Sequence, residues 1–309
     1  MTNVTISTTV KYFGYIPEDG AAWAAMSLFI VLGLLLCWTN WKNQPCKFMI
    51  VLVLCAWFEA AGYGIRVLAA HSPSLITFIW PTLFILLVPN AIALVNYIVL
   101  GRALAFSGLN VGCLRPNWIA RTFFISDVLS FSVQGFGGGL LTSSDNATIQ
   151  TGEKVILVGL AIQSATLFLF LFCVYNVHAR PQYLLKEEKD GQRLVMALYI
   201  TTLLLFIRSI YRAVEYGTGK DAYIQTHEWP AYAFDTIPIS SCYFFYILPT
   251  YHYGRCLNDL KKLFASTAPP PPSSPLSSDA QVMLQPPQNS KPSSNSTKTI
   301  QLPGSVNYV

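Results

Sequence analysis

Residues 194–211 read LVMALYITTLLLFIRSIY, and Arg208 is the only charged side chain in this stretch. A helix that crosses the hydrocarbon core of a bilayer needs about 20 mainly apolar residues. Six further blocks have the same character, namely residues 21–39, 48–69, 74–100, 122–141, 155–177 and 229–251. The sequence therefore predicts a bundle of seven transmembrane helices.

The composition of the chain favours a helical membrane protein over a membrane β-barrel and over a soluble helical bundle. A membrane β-barrel would show short segments of alternating polarity, whereas these blocks are long and uniformly apolar. A soluble bundle of seven buried helices is disfavoured because only 11% of the residues are charged, against about 25% in an average soluble protein. The basic residues neither cluster nor alternate with aromatic residues, which argues against a nucleic-acid partner. We expect an all-α membrane protein.

Lysine and arginine residues flank the predicted helices unevenly, and such residues favour the cytoplasmic side. Twelve lie in the odd-numbered loops and after helix seven: Lys42, Lys47, Arg102, Arg115, Arg121, Arg180, Lys186, Lys189, Arg193, Arg255, Lys261 and Lys262. Three lie in the N-terminal segment and the even-numbered loops: Lys11, Lys154 and Lys220. This asymmetry predicts that the N-terminus lies outside and the C-terminus in the cytoplasm. The first 20 residues lack a basic region followed by an apolar run, so we expect the first helix to direct insertion.

Two glycosylation sequons fall on the side predicted to be outside. They begin at Asn3 and Asn146, and each has threonine two residues later. Asn146 is the better candidate because Asn3 lies close to the terminus. A third match at Asn295 lies in the predicted cytoplasmic tail, where we expect no modification.

The chain divides into three predicted regions. Residues 1–20 form an extracellular N-terminal segment, residues 21–263 the transmembrane domain, and residues 264–309 a cytoplasmic tail. The tail contains four consecutive prolines, 269–272, and many serine, glutamine and asparagine residues. Such a composition buries too little apolar surface to offset the entropy of ordering, so we expect disorder. The tail could bind a cytoplasmic adaptor, or it could be a spacer without a specific partner.

Polar side chains inside the apolar blocks are the candidates for function. An ionisable side chain at bilayer depth costs about 3 kcal/mol or more and normally faces a cavity or a partner. Residues three, four or seven positions apart share one face of a helix, and five of the predicted helices have polar residues at this spacing. We expect them to converge on a polar interior that binds a ligand or forms a transport path. The candidates are Glu59, Tyr63, Arg66, Asn90, Asp127, Gln134, Gln163, Arg208, Arg212, Glu215, Glu228 and Asp235.

Several of these groups also have a structural interpretation. Glu59–Arg66 and Arg212–Glu215 could be ion pairs that hold helices together. Arg66 and Arg212 could instead extend to the outer interface. Asp127 could lie shallow enough in the inner leaflet to contact water.

Asp235 and a glycine run complete the candidate path. Asp235 has no basic residue within one helical turn, so a purely structural role is harder to assign to it. The glycines at 137–139 follow Gln134 in predicted helix four. They could permit close helix packing, or they could form a hinge or a broken helix along a path.

Several classes of protein are excluded by residues that the chain lacks. A retinal protein needs a lysine in helix seven, and no predicted helix contains a central lysine. A G-protein-coupled receptor would carry an acidic-arginine-aromatic triplet at the end of helix three, where residues 97–102 read YIVLGR. The four histidines lie in loops or at helix ends, and neither GxxxxGK[ST] nor GxSxG occurs. We expect no enzymatic activity, no metal and no other cofactor.

An ordered series of motifs covers residues 12 to 256. In chain order the motifs are Tyr12-x-x-Tyr15-x-Pro17, Glu59-x-x-Gly62-Tyr63-x-x-Arg66, Pro89 through Tyr97 to Gly101-Arg102, Asp127 to Gln134 with the glycines after it, Gly159 to Gln163, Ile207-Arg208-Ser209-Ile210-Tyr211-Arg212-x-x-Glu215-x-x-x-Gly219, and Glu228-x-x-x-Tyr232-x-x-Asp235. In this order and spacing the chain resembles the fungal RTA-like family of seven-helix proteins, also called the lipid-translocating exporter family.

The resemblance implies a role in resistance to sphingoid long-chain bases and sterol-like amines, in phospholipid asymmetry and in porphyrin traffic, at the plasma membrane. The first functional hypothesis is therefore a transporter or flippase-like exporter of amphiphilic lipids. Glu59, Asp127 and Asp235 would provide counter-charges to an amine, while Arg208 and Arg212 would hold these acids or contact phosphate. The alternative is a membrane receptor or stress sensor that affects lipid homeostasis indirectly through its tail.

Overall fold

The computed structural model describes residues 19–42, 48–71, 75–107, 116–141, 143, 145–179, 189–218, 223–248 and 253–267. Every regular element within these ranges is helical. The elements are α1 (Asp19–Lys42), α2 (Met49–His71), α3 (Leu75–Ser107), α4 (Pro116–Leu140), α5 (Asn146–Ala179), α6 (Lys189–Gly217), α7 (Tyr223–Thr226), α8 (Trp229–Ala231), a π-helix (Tyr232–Thr236), α9 (Ile237–Ile247) and α10 (Tyr253–Thr267).

The helices form a closed bundle. Helices α1 to α6 pack against one another in chain order, as expected for helices joined by short connections. The elements α8, π-helix and α9 follow without a break, and we call them the seventh segment. Its α9 part packs against both α6 and α1, which closes the ring. Helix α3 also contacts α6 across the bundle, so it is the central helix.

The distribution of polar and apolar side chains is that of a protein surrounded by lipid. Leu34 and Phe172 point outward and are 55% and 57% exposed, whereas Glu59, Asn96 and Arg208 are 2% exposed or less. A soluble protein would show the opposite arrangement, because leucine and phenylalanine are usually buried and charged residues exposed. The structure therefore confirms an all-α membrane protein.

Five of the described helices are long and apolar enough to cross a membrane: Gly20–Lys42, Met49–Leu68, Leu83–Ala105, Ala147–Ala179 and Lys189–Gly217. The predicted fourth crossing lies within α4, a helix of 25 residues rich in glycine, serine and other polar residues. The predicted seventh crossing is divided by the π-helix, which leaves only 11 residues in α9. Seven crossings and their orientation therefore stay predictions.

Glycines allow α4 and α5 to approach closely. A Cβ atom on Gly137 would lie 2.7 Å from the Ile156 side chain and 2.8 Å from the carbonyl oxygen of Gly152. A Cβ atom on Gly152 would in turn lie 2.9 Å from the carbonyl oxygen of Gly137. Helix α4 continues unbroken to Leu140. Of the two interpretations of the glycine run, close packing holds for Gly137, and a break in the helix is not observed.

Helix α5 begins at Asn146, nine residues earlier than its predicted apolar block. Asp145 stabilises this start, since its carboxylate accepts hydrogen bonds from the Thr148 hydroxyl at 2.9 Å and the Thr148 amide at 3.2 Å. These bonds lower the pKa of the Asp145 carboxyl. Asn146, predicted to lie in a loop, is therefore the first residue of a helix. Asn3 lies outside the described residues.

Helix α10 corrects the predicted start of the tail. It runs from Tyr253 to Thr267, so residues 264–267 are helical rather than part of a disordered segment. Its buried side chains, including Cys256, Leu257 and Leu260, pack where the helix contacts α3 and α6. The sequence prediction failed here because an amphipathic helix has no long apolar block. Residues 268–309 lie outside the described residues.

Candidate functional site

Four charged side chains meet between α6 and the seventh segment. Arg208 and Arg212, one turn apart on α6, each donate a hydrogen bond to a different carboxylate oxygen of Asp235. Arg212 also donates to Glu215 over 3.0 Å, and Arg208 donates to the carbonyl oxygen of Ile85 on α3 over 2.9 Å. We call Arg208, Arg212, Glu215 and Asp235 the central charge cluster. The arginines therefore hold Asp235, one of the roles inferred from the sequence.

The π-helix places Asp235 in this cluster. The amide of Ile237 donates to the carbonyl oxygen of Tyr232, five residues back, and Pro238 has no amide hydrogen to donate. The wider turn lets two consecutive residues, Asp235 and Thr236, both be buried, at 3% and 6% exposure. An isolated π-helix turn inside a membrane segment often marks a functional position.

Glu59 is buried beside the central charge cluster without joining it. Its side chain is 1% exposed, and neither carboxylate oxygen has a hydrogen-bond partner among the described residues. Asp235, Arg208 and Arg212 are close enough to interact with it electrostatically. The two arginines and two acids of the cluster already balance in charge, so Glu59 is an additional acid next to a neutral group.

Arg66 binds a different acid from the one suggested by sequence spacing. It donates a 3.0 Å hydrogen bond to Glu228, which also accepts one from the Tyr232 hydroxyl at 3.1 Å. The Arg66 guanidinium lies 5.9 Å from the centre of the Tyr232 ring. The Glu59–Arg66 pair is therefore wrong. Positions seven apart share a helix face, but they are separated by about 10 Å along the axis.

Three amide side chains connect α3, α4 and α5. Gln134 donates to Ser130 at 2.8 Å and to Gln163 at 3.0 Å, and Gln163 donates to Asn90 at 2.6 Å. We call Asn90, Gln134 and Gln163 the amide cluster. A Cβ atom on Gly159 would lie 2.6 Å from the Gln134 side chain, so this glycine makes room for the cluster.

The remaining predicted residues lie elsewhere. Tyr63 exchanges a 2.6 Å hydrogen bond with Thr236, which places it next to the central charge cluster. Asp127 is 2% exposed and interacts with Tyr97 of α3, away from the other acids. Burial by neighbouring helices contradicts the interpretation that Asp127 contacts water.

Asn96 is a buried polar residue that sequence reasoning missed. Asn96 donates hydrogen bonds to Thr201 at 3.1 Å and Thr202 at 3.3 Å, and accepts bonds from the Tyr246 and Tyr253 hydroxyls at 3.2 and 2.9 Å. An asparagine within an apolar block was a usable signal for this group. Its partners come from α6, α9 and α10, so it ties the central helix to three others.

A cavity of about 190 Å³ lies between α3, α4, α5 and α6. Leu83, Leu86 and Leu160 form apolar walls, and Gln134 and Arg212 provide polar groups. The cavity thus joins the amide cluster to the central charge cluster. An apolar surface with a few polar groups suits an amphiphilic small molecule.

The other glycines of α4 leave this cavity open. Gly135, Gly138 and Gly139 line it, and a Cβ atom on any of them would meet nothing within 4 Å. The glycine run therefore has two roles, since Gly137 packs against α5. Within the described ranges, no three histidine, cysteine or acidic side chains come together as a metal site.

Comparisons with known proteins agree with this architecture. An uncharacterized membrane protein of Saccharomyces cerevisiae is 30% identical over 202 residues, covering 64% of this chain and 72% of that protein. Protoporphyrin uptake protein 1 of the same yeast is 31% identical, covering 59% of this chain and 61% of its own. The sphingoid long-chain base transporter RSB1 of Saccharomyces cerevisiae is 31% identical over 156 residues, 38% of this chain and 41% of that protein.

The chain thus spans less than two thirds of the length of two of these relatives. No solved structure matches it. The family profile described as RTA1 like protein matches residues 52–259, a range that contains every candidate residue of the predicted path. The chain is a member of the RTA1-like family.

Proposed function

We propose that this protein moves amphiphilic lipids between the leaflets of a membrane, as a carrier and without covalent chemistry. The observation that carries the proposal is the cavity, whose leucine walls adjoin the polar side chains of Gln134 and Arg212. A relative named as a sphingoid long-chain base transporter supports a lipid as the cargo.

The buried polar clusters fit the energetic problem of lipid movement. The acyl chain of a lipid gains nothing from leucine side chains that it lacks in the bilayer, because both are equally apolar. The barrier is the polar head group, which must cross hydrocarbon without water. The central charge cluster and the amide cluster offer polar partners at bilayer depth, and would lower that barrier.

An amine is the head group that the charges favour. The central charge cluster is neutral in sum, and Glu59 adds one acid beside it. An ammonium group on an apolar chain, as in a sphingoid base, would provide the missing positive charge. We place the protein at the plasma membrane on the basis of its resemblance to the RTA-like family, and its predicted outside sequons support entry into the secretory pathway. Fractionation that finds it only in internal membranes would contradict this.

The role of the cavity in lipid movement can be tested by filling the cavity with a larger side chain. The protein would be reconstituted into liposomes, and movement of a fluorescent sphingoid base between leaflets measured by quenching from outside. Gly138→Leu should abolish protein-dependent movement, because its side chain would occupy the cavity. Gly20→Leu is the matched control, since Gly20 also has open space around it but does not line the cavity.

Two outcomes would contradict the proposal. One is wild-type protein that is folded but moves the probe no faster than empty liposomes, a result that favours the receptor hypothesis. The other is equal movement by the Gly138→Leu and wild-type proteins, which would show that lipid does not pass through the cavity.

A further inference from the structure

Glu59 differs from Asp235, the acid buried beside it, in lacking a positive partner among the described residues. Asp235 binds two guanidinium groups and Glu228 binds one. Glu59 is as deeply buried as Asp235, whereas Glu228 is only partly buried, yet both Glu59 oxygens are without a hydrogen-bond partner in the described structure. A carboxylate in this state costs several kcal/mol, so it requires either a proton or a bound cation.

Among the residues that the structure describes, the groups around Glu59 supply no such cation. From α6, Arg208 and Arg212 face it, but both are already bound to Asp235 of the seventh segment. The other described titratable residues that interact with it are Cys55 and Tyr63 on its own helix and Tyr243 on α9. None of these carries positive charge.

We propose that Glu59 is an exchange site, which holds a proton in the ligand-free protein and releases it when the cationic head group of an amphiphile binds. The carboxylic acid loses its proton to water, and the resulting carboxylate forms an ion pair with the ligand cation. Charge at the site is the same before and after the exchange. Because each state contains one positive ligand, proton or amphiphile, lipid movement in one direction is coupled to proton movement in the other. This inference rests on the proposed carrier function.

Arg212 connects the exchange site to the cavity. It lines the cavity wall and at the same time binds Asp235, which lies between it and Arg208. Arg212, Asp235 and Arg208 therefore form a continuous series of contacts from the cavity wall to the groups beside Glu59.

The first test observes the proton directly. Difference infrared spectra of the purified protein between neutral and alkaline pH should contain the C=O stretching band of a protonated carboxylic acid. Glu59→Gln should remove this band, whereas Glu153→Gln, an acid of α5 outside the clusters, should retain it. Asp127→Asn shows whether Asp127, which is also buried, contributes to this band. A band that is absent from the wild type, or lost only in Asp127→Asn, would overturn the proposal.

The second test measures exchange with a single-chain fluorescent amphiphile that has a quaternary ammonium head group. Its charge does not depend on pH, so any pH effect arises from the protein. Binding in weakly buffered detergent should release up to one proton per protein molecule. Glu59→Asp should retain this release, because it keeps the carboxyl, and Glu59→Gln should lose it. Absence of binding, or release that persists in Glu59→Gln, contradicts the exchange site.

The carrier function and the exchange site can fail separately. In liposomes, an imposed pH gradient should accelerate movement of the quaternary probe in one direction and slow it in the other. A rate of probe movement that does not depend on the pH gradient would overturn the exchange site and leave the carrier function standing. Proton release on binding without any movement between leaflets would overturn the carrier and leave Glu59 as a cation-binding site.

Discussion

Asp235 is the residue on which most of the buried charge depends. Its side chain is 4% exposed and binds both Arg208 and Arg212, which lie 27 and 23 residues away in the chain. A buried ion pair adds little net stability when it is complete, because desolvation offsets the attraction. Removing one member is expensive, because the remaining charge stays buried. The cluster therefore makes this part of the bundle intolerant of single changes.

Asp235→Asn should destabilise the protein by about 3–5 kcal/mol, since it leaves two buried guanidinium groups sharing one remaining acid. The unfolding midpoint in detergent would measure this. Glu59→Gln should leave the midpoint nearly unchanged, because no hydrogen bond is lost. The double variant Arg208→Met/Asp235→Leu should be less destabilised than Asp235→Asn alone. Equal stability of Asp235→Asn and wild type would show that the arginines are not held as the structure indicates.

At the scale of elements, α4 and the seventh segment depart from regular helices in different ways. Helix α4 remains regular but replaces side chains by glycine on two faces, one against α5 and one against the cavity. The seventh segment keeps its side chains and widens its backbone into a π-helix. Both devices bring polar groups to the same region of the bundle without breaking a helix.

The different roles of the two faces of α4 can be tested with single glycine-to-alanine substitutions, each of which adds one methyl group. Gly137→Ala should be destabilising, because its Cβ would lie 2.8 Å from the backbone oxygen of Gly152, which cannot move aside alone. Gly138→Ala should be stabilising by about 0.5–1 kcal/mol, since alanine loses less entropy than glycine in a helix and meets no atom within 4 Å. Unfolding midpoints that shift in the same direction for both variants would contradict this assignment.

At the scale of the whole molecule, α10 packs against the ring of helices through its contacts with α3 and α6. The Tyr253 hydroxyl of α10 reaches Asn96 on the central helix, and the apolar face of α10 is buried. The described residues as far as Thr267 belong to one compact unit. The folded unit therefore includes all of α10 and extends beyond residue 263, the predicted end of the transmembrane domain.

Truncation tests this boundary and the role of the tail together. A chain that stops after Thr267 should keep the stability of the full protein and its movement of lipid probe. A chain that stops after Leu248 should be less stable, because Asn96 loses a hydrogen bond and the faces of α3 and α6 under α10 are uncovered. If the chain that stops after Thr267 moves lipid poorly although it is folded, the tail takes part in function, as the receptor hypothesis requires.

Sequence alone predicted the features that depend on each segment separately. Hydrophobic blocks of sufficient length identified an all-α membrane protein, because the cost of placing a segment in lipid is nearly a sum over its own residues. The same reasoning identified Glu59, Arg208 and Asp235 as unusual, since each is a charge within an apolar block. The ordered motifs identified the RTA1-like family, which the family profile confirms.

Tertiary structure decided which polar groups meet. Arg66 pairs with Glu228, 162 residues away, rather than with an acid on its own helix face. Asp235 acquired two partners from α6, while Glu59 has no hydrogen-bond partner among the described residues. Helical periodicity shows which way a side chain points, but not which helix lies opposite or how closely it approaches. In this protein, glycine contacts and a π-helix turn set how closely the helices approach one another. Both involve residues that lie far apart in the chain.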